Sequence, residues 1–401
     1  MPSHILLNGH IKPDLPSTHY LDNRIYSDDA IYKRERDNIF ATQWKFACHE
    51  SELPNIRDFR VVTLAEKEIV IVRGEDSVLR AFYNACPHRG SKIIREVAGS
   101  LPGNRMTCFY HMWSFNMQGE CLNVSQPEGY EACGIGKDDV NLRSVRIENL
   151  HGLIFICLDN GTPELAEFLG SEVAESMRIP WSGDLEIMHF HRQIVNANWK
   201  LFVETNCEGY HELLHKLNRQ TAVSVKGYGE RQWHVFPSGH IFVDAATISY
   251  EKYADLERGD QELPGMEPNG HVVVDLFPDT MLNCRATVAR IDTMIPMGPN
   301  KTMIECRGFG LKNDSPELRE TRIRHHNQVW GPTGTNIPED VWAVEVQMSN
   351  MLSGGSRYSL IARDEKGSKM MTDEPLRGFY EVWRRLVRAN SHDIDEPYSA
   401  H

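Results

Sequence analysis

The chain has 401 residues, 41% hydrophobic and 25% charged, enough to bury the cores of two or three domains and too apolar for a disordered protein. A formal net charge of -13 repels a phosphate backbone, and the main basic cluster, 319 to 326, is broken by Glu320 and reads as a solvated helix face. Apolar runs are only strand-sized and the first ten residues lack the parts of a signal peptide, so the expectation is a cytoplasmic protein with no nucleic-acid or membrane partner.

In chain order, residues 1 to 40 read as an arm with one charged helix, about 29 to 40. From 41 to 160 short alternating segments predict a small all-β domain. Its strands fall at 59 to 64, 68 to 73, 78 to 83, 145 to 147 and 153 to 158, with turns at Gly74-Glu75-Asp76 and Asn149-Leu150-His151-Gly152. From 161 to 401 the pattern is mixed. A strand at 186 to 195 precedes a helix from Asn198 to about Leu217. Strands follow at 231 to 236, 240 to 245, 271 to 277, 285 to 295 and 302 to 310, then helices near 315 to 329, 339 to 352 and 374 to 389. An antiparallel sheet with helices after an all-β domain makes the fold class α+β. No internal repeat is present.

Two constellations carry chemistry. Cys86-Pro87-His88 and Cys108-Phe109-Tyr110-His111 each follow a predicted strand of the β domain, so two loops would close on one object. Two thiolates and two imidazoles suit either a structural zinc or a two-iron cluster in which histidines replace two cysteines on one iron. Tyr110 and Trp113 would shield a redox centre from water. The remaining cysteines, 48, 121, 133, 157, 207, 284 and 306, read as small buried side chains.

The second constellation lies on the helix beginning Asn198-Trp199-Lys200, where Glu204, Glu208, His211 and His215 follow at steps of four, three and four and so share one face. Two histidines plus one carboxylate make a facial triad that leaves iron positions open. The run His211-Glu212-Leu213-Leu214-His215 also matches the H-E-x-x-H signature of zinc proteases, although a protease would leave the cysteine-histidine pairs unexplained. Glu204 either supports the site or is an ordinary helix residue.

The segments Cys86-Pro87-His88-Arg89-Gly90, then Cys108-x-x-His111-x-Trp113-x-Phe115, then Gly119, resemble the alpha subunits of Rieske non-haem iron oxygenases, with Phe109 where proline is frequent and Met112 where glycine is frequent. Asn198-Trp199-Lys200, Glu208-Gly209-Tyr210-His211 and His215 resemble the iron-binding helix of the same family, here with three residues between the histidines instead of four or five. The resemblance covers most of the chain. It implies an arm (1–40) packed on the catalytic domain, a β-sandwich-like Rieske domain (41–160), and a helix-grip, START-like catalytic domain (161–401).

By that resemblance Cys86, His88, Cys108 and His111 hold a [2Fe-2S] cluster, and His211 and His215 ligate a mononuclear Fe(II). The third iron ligand would be a downstream carboxylate at a helix start, Asp340 of Asn336-Ile337-Pro338-Glu339-Asp340, with Glu339 as substitute and Asn336 as the helix cap. Glu208 would bond the Rieske histidine, His111, of a neighbouring subunit. Implied partners are a reductase or ferredoxin that delivers NAD(P)H electrons, and further copies of the chain in a trimer, with or without a small beta subunit. The implied activity is hydroxylation of an aromatic substrate with dioxygen, an aromatic acid included. The alternative is oxidation of a quaternary ammonium or N-methyl compound, which Glu rather than Asp at 208 suggests.

Overall fold

The run Ile69-Val70-Ile71-Val72 is wholly buried, because its strand, Lys67–Arg73, lies inside a seven-stranded antiparallel sheet covered on both faces. The sheet runs Lys45–His49, Leu153–Cys157, Ser144–Leu150, Leu79–Tyr83, Lys67–Arg73, Asp58–Leu64, Ala98–Ser100. A second sheet of three short strands, Met106–Thr107, Ser114–Phe115 and Cys121–Asn123, carries the second cysteine loop. Phe59, Phe82, Met106, Phe115 and Met117 join Cys86, Cys108 and Trp113 in one core. These elements form one compact unit, Phe40–Leu165, of the computed structural model, which describes residues 9–217, 228–247, 261–364 and 369–388.

The other unit combines the arm with the chain from Ala166 onward. Its seven antiparallel strands lie in the order Leu185–Val195, Thr302–Leu311, Val288–Pro296, Thr280–Arg285, Gly270–Leu276, Ile241–Thr247, Trp233–Val235. The strand expected at 285 to 295 is a hairpin instead: the chain reverses at Ala286, whose φ is +39°, so Arg285 ends one strand and Val288 begins the next. Alternation continued across the turn and hid it. Helix Pro316–Trp330, capped by the Ser315 hydroxyl accepting the Leu318 N–H at 3.2 Å, packs on the central strands.

The arm's helix Asp29–Glu35, the helix Trp199–Asn206 and the helix Glu374–Arg388 meet at a buried ion pair. Lys200 Nζ lies 2.5 Å from Glu35 Oε1, both side chains inaccessible, and the Trp199 and Trp383 indoles donate to the same carboxylate at 2.9 and 2.7 Å. Two extra donors and the surrounding rings offset the desolvation of that pair; a lone charge there would cost several kcal/mol. Among the described residues, no helix is long and apolar enough to cross a membrane.

Candidate metal centres

The two cysteine loops differ in sequence and agree in backbone. In each, the cysteine carbonyl accepts the N–H four residues on (Gly90 at 2.8 Å, Met112 at 2.9 Å), and the cysteine N–H donates to the carbonyl five residues on (Ser91 and Trp113, both 2.8 Å). The fourth residue is left-handed in both, Gly90 at φ +72° and Met112 at +59°. Met112 therefore adopts a conformation that glycine takes at no steric cost and other L-residues resist.

These turns bring the ligand candidates together. Cys86 and Cys108 are both buried. Burial pushes the Cys86 thiol up to about 11, partly countered by the His88 backbone N–H and reinforced by neighbouring Cys108, so two thiolates here call for a cation. His88 Nδ1 and His111 Nδ1 face one another at 3.1 Å. Two imidazole lone pairs at that distance repel unless a proton or metal lies between them. The donor set fits an Fe–S cluster held by two thiolates and two Nδ1 atoms. Trp113 stacks on His88 with ring centroids 4.7 Å apart. Tyr110, 52% exposed on its outer side, packs its ring over His111 with centroids 3.8 Å apart, and Tyr130 covers the other histidine, its hydroxyl 3.2 Å from His88 Nε2. Cys133 is likewise exposed and not a buried filler.

The helix expected from Asn198 to Leu217 is broken. Asn198 caps it, its Oδ1 accepting the Lys200 N–H at 3.0 Å, but it ends at Asn206, and a second helix, Glu212–Leu217, begins after a turn. Gly209 allows the turn: a Cβ there would lie 2.6 Å from the Met370 carbonyl oxygen. The four-residue spacing therefore does not put Glu204, Glu208, His211 and His215 on one helix face. Glu208 sits in the turn, accepting the Tyr210 backbone N–H and, at 3.0 Å, that of His211, while its Oε1 contacts His211 Nδ1 at 2.8 Å. Glu204 points elsewhere, with Tyr26 and Tyr380 donating their hydroxyls to it. Burial raises its carboxyl to about 7, against the pull of those two hydrogen bonds.

His211, His215 and Asp340 converge, with one ligand atom from each within 4.8 Å of the others. Asp340 Oδ1 lies 3.2 Å from His215 Nε2 and 3.6 Å from His211 Nε2, yet is buried and outside hydrogen-bond geometry. A buried carboxylate oxygen facing two Nε2 atoms makes a three-donor set that could hold a divalent cation and leave positions open on it. The outer nitrogens are taken by carboxylates, His211 Nδ1 by Glu208 and His215 Nδ1 by Glu339 at 2.6 Å, which fixes both rings. Glu339 thus stands behind His215, and the open carboxylate is Asp340. Burial opposes a charge on His211, but Glu208 and Asp340 outweigh it and raise its pKa to about 9, so the site's field favours a cation. Asn336 does not cap the helix Ile337–Leu352 with its side chain as expected; its carbonyl accepts the Glu339 and Asp340 N–H groups at 3.0 and 3.2 Å.

A cavity opens on these three side chains, and its wall includes Arg231, Arg285 and Arg290. All three are at least nine-tenths buried. Arg290 is committed to Asp292 (Nε to Oδ2, 2.7 Å), and the Arg285 and Arg290 guanidiniums stack over Trp330 at 5.2 and 4.9 Å. None of the three was anticipated from the sequence. Asn283 and Arg285, then Arg290 and Asp292, alternate with apolar residues on paired strands, and polar residues on both sides of a strand turn were the available signal.

Comparison with known proteins follows the same division. Residues 43–137 match the Rieske [2Fe-2S] domain, and residues 172–389 match the ring hydroxylating alpha subunit (catalytic domain). The chain is 38% identical to the 2-aminobenzenesulfonate 2,3-dioxygenase alpha subunit of Alcaligenes sp. over 96% of this chain and 98% of the relative. It is 37% identical to the methanesulfonate monooxygenase hydroxylase alpha subunit of Methylosulfonomonas methylovora over 97% and 96%. The naphthalene 1,2-dioxygenase of Rhodococcus sp. shares the fold, with a TM-score of 0.80 at 19% identity over 93% of this chain and 95% of that one. Similarity of this extent leaves no room for the zinc-protease reading, and the chain belongs to the Rieske non-haem iron oxygenases as an alpha subunit, an oxidoreductase whose cofactors are a Rieske [2Fe-2S] cluster and a mononuclear iron supplied with NAD(P)H electrons by a reductase or ferredoxin.

Proposed function

We propose that this oxygenase hydroxylates a small anionic aromatic molecule, a sulfonate or carboxylate, at an iron held by His211, His215 and Asp340, using electrons from a cluster held by Cys86, His88, Cys108 and His111. The observation that carries the substrate class is the buried guanidinium of Arg285 in the cavity wall, beside Arg231 and an Arg290 already paired with Asp292, which favours an anion in a region of low polarisability. The names of the two relatives, one acting on an aromatic and one on an alkyl sulfonate, point the same way. Trp233, Trp330 and Phe202 supply flat apolar wall for a ring. A quaternary ammonium substrate is served less well, since its cationic head would meet guanidiniums.

When bound, the cluster passes on single electrons and the iron activates dioxygen. The chain's own residues do the placing. Glu208 and Glu339 hold the imidazoles through Nδ1, leaving both Nε2 atoms toward Asp340. The two oxygens of Glu208 share the His211 N–H, at 3.2 and 3.0 Å, so one of them can give up that contact and accept from His111 of a neighbouring copy. Exposed Phe109, Tyr110 and Met112 around the cluster loop, and exposed Tyr210, Leu213 and Trp342 around the iron turn, are apolar surface that such a contact would cover, in a cyclic trimer. A cytoplasmic location is consistent with the NAD(P)H supply and with nine free thiols.

The test is coupled oxygen uptake and product analysis with a surrogate reductase, offering arenesulfonates, arenecarboxylates and betaines. Hydroxylated aryl acids are expected. Turnover confined to betaines would overturn the substrate reading.

A further inference from the structure

His271 and Arg285 are direct cross-strand partners, so their side chains rise from one face of the sheet side by side into the iron cavity. Each is only 7% exposed. His271 Nε2 lies 3.1 Å from Asn283 Oδ1; a carbonyl oxygen accepts, so Nε2 carries the proton and Nδ1 presents a lone pair. Burial, together with the fields of Arg231 and Arg285, holds the His271 pKa well below its usual value, which keeps that lone pair free. Nδ1 is buried with no hydrogen-bond partner, and so is Arg285 Nε. The Arg285 guanidinium rests on Trp330 and feels the field of the Glu212 carboxylate in the same wall, but among the described residues no hydrogen bond or ion pair joins it to a carboxylate. Arg290, by contrast, is already neutralised by Asp292.

The cavity therefore offers a charged donor and a neutral acceptor in adjacent positions, each with a buried nitrogen, Arg285 Nε and His271 Nδ1, that has no hydrogen-bond partner. A simple acid would satisfy Arg285 and leave the imidazole lone pair bare, at the desolvation cost of a buried acceptor. We propose that the substrate is an aryl acid with a hydrogen-bond donor on the neighbouring ring carbon, an ortho-amino sulfonate or carboxylate, with Arg285 binding the acid oxygens and His271 Nδ1 accepting the amino N–H. This rests on the anionic-substrate reading above. The ortho relation is required because the two recognising groups are themselves nearest neighbours across the strand pair.

The experiment uses the metal-loaded enzyme with its reductase and four probes: 2-aminobenzenesulfonate, benzenesulfonate, 2-aminobenzoate and benzoate, with Kd by calorimetry under anaerobic conditions alongside kcat/KM. The ortho-amino member of each pair is preferred roughly 10- to 100-fold, the range expected when a buried acceptor gains or lacks its donor. The sulfonate pair against the carboxylate pair identifies the acid. His271→Phe brings the amino preference to within about two-fold while anions still bind; His271→Asn, which can present an oxygen in place of Nδ1, keeps part of it. Arg285→Gln weakens all four probes about 10- to 100-fold and leaves the preference in place. Iron and cluster content of each variant guards against misfolding. Turnover of the acids without any amino preference, or a preference that survives His271→Phe in fully loaded protein, overturns this inference and leaves the anionic reading standing. Failure of all four probes to bind or react would overturn the anionic reading itself.

Discussion

The two metal centres of this chain are built by opposite means. The cluster loops are two six-residue turns, each closed by its own pair of backbone hydrogen bonds and seated on short strands of one small unit. The proposed iron site draws on a turn after a broken helix, a second helix, and a carboxylate that lies 125 residues beyond His215, namely Asp340. Local backbone geometry orients the first set of ligands. In the second, further carboxylates orient the imidazoles, Glu208 from the same turn and Glu339 from a remote helix, so ligand orientation rests on added side chains there and on closed backbone turns in the cluster loops.

The largest expected effect tests that dependence directly. Asp340→Ala should abolish mononuclear iron binding and product formation while the cluster's visible absorption and its reduced paramagnetic signal stay at parental intensity. Normal iron content would move the third ligand elsewhere, and loss of both centres would mean that the two sites do not form independently. A smaller effect is expected for Glu339→Gln, which keeps a hydrogen bond to His215 Nδ1 and removes its charge: iron affinity should fall about 10- to 100-fold, read by chelator competition. Equal affinity would mean that Glu339 only complements the helix dipole.

Glu204 sharpens the comparison within the catalytic unit, because it is a buried carboxyl that the metal does not use. Its folded-state pKa of about 7 lies above the ordinary 4.5, so the fold binds its proton more tightly than the unfolded chain does. The resulting stability is fully present below about pH 4.5 and is lost as pH rises through 7, a change on the order of 3 kcal/mol. Glu204→Gln cannot ionise, so its urea midpoint should fall less than the parent's between pH 5 and 8. Parallel midpoints would show that the carboxyl titrates normally.

The smallest effect belongs to the cluster loops. Met112→Gly should relieve a left-handed backbone and stabilise the Rieske unit by about 1 kcal/mol, with cluster loss on heating shifted upward. Unfolded-state entropy works against glycine, so a destabilised variant would mean that the exposed Met112 side chain contributes more than its backbone costs.

Much of this was legible in the sequence alone. Cys86, His88, Cys108 and His111 announce themselves because a turn is closed by residues adjacent in the chain. His211 and His215 stand out by spacing, although the periodicity that suggested one continuous helix missed the break. Poor helix formers at Thr205, Asn206 and Cys207 followed by Gly209 were its only trace, and the Met370 carbonyl that requires that glycine is remote in sequence. The choice between Glu339 and Asp340 could not be read from a helix start that carries both, since either carboxylate complements the dipole. Only the packing of that helix against the broken one turned Glu339 to the back of His215 and Asp340 to its front. The arginines and His271 were least visible of all, because a side chain's charge in a cavity depends on which strands pair and in what register. That register, His271 opposite Arg285 and Asn283 opposite Arg290, is a property of the sheet as a whole and of no single segment.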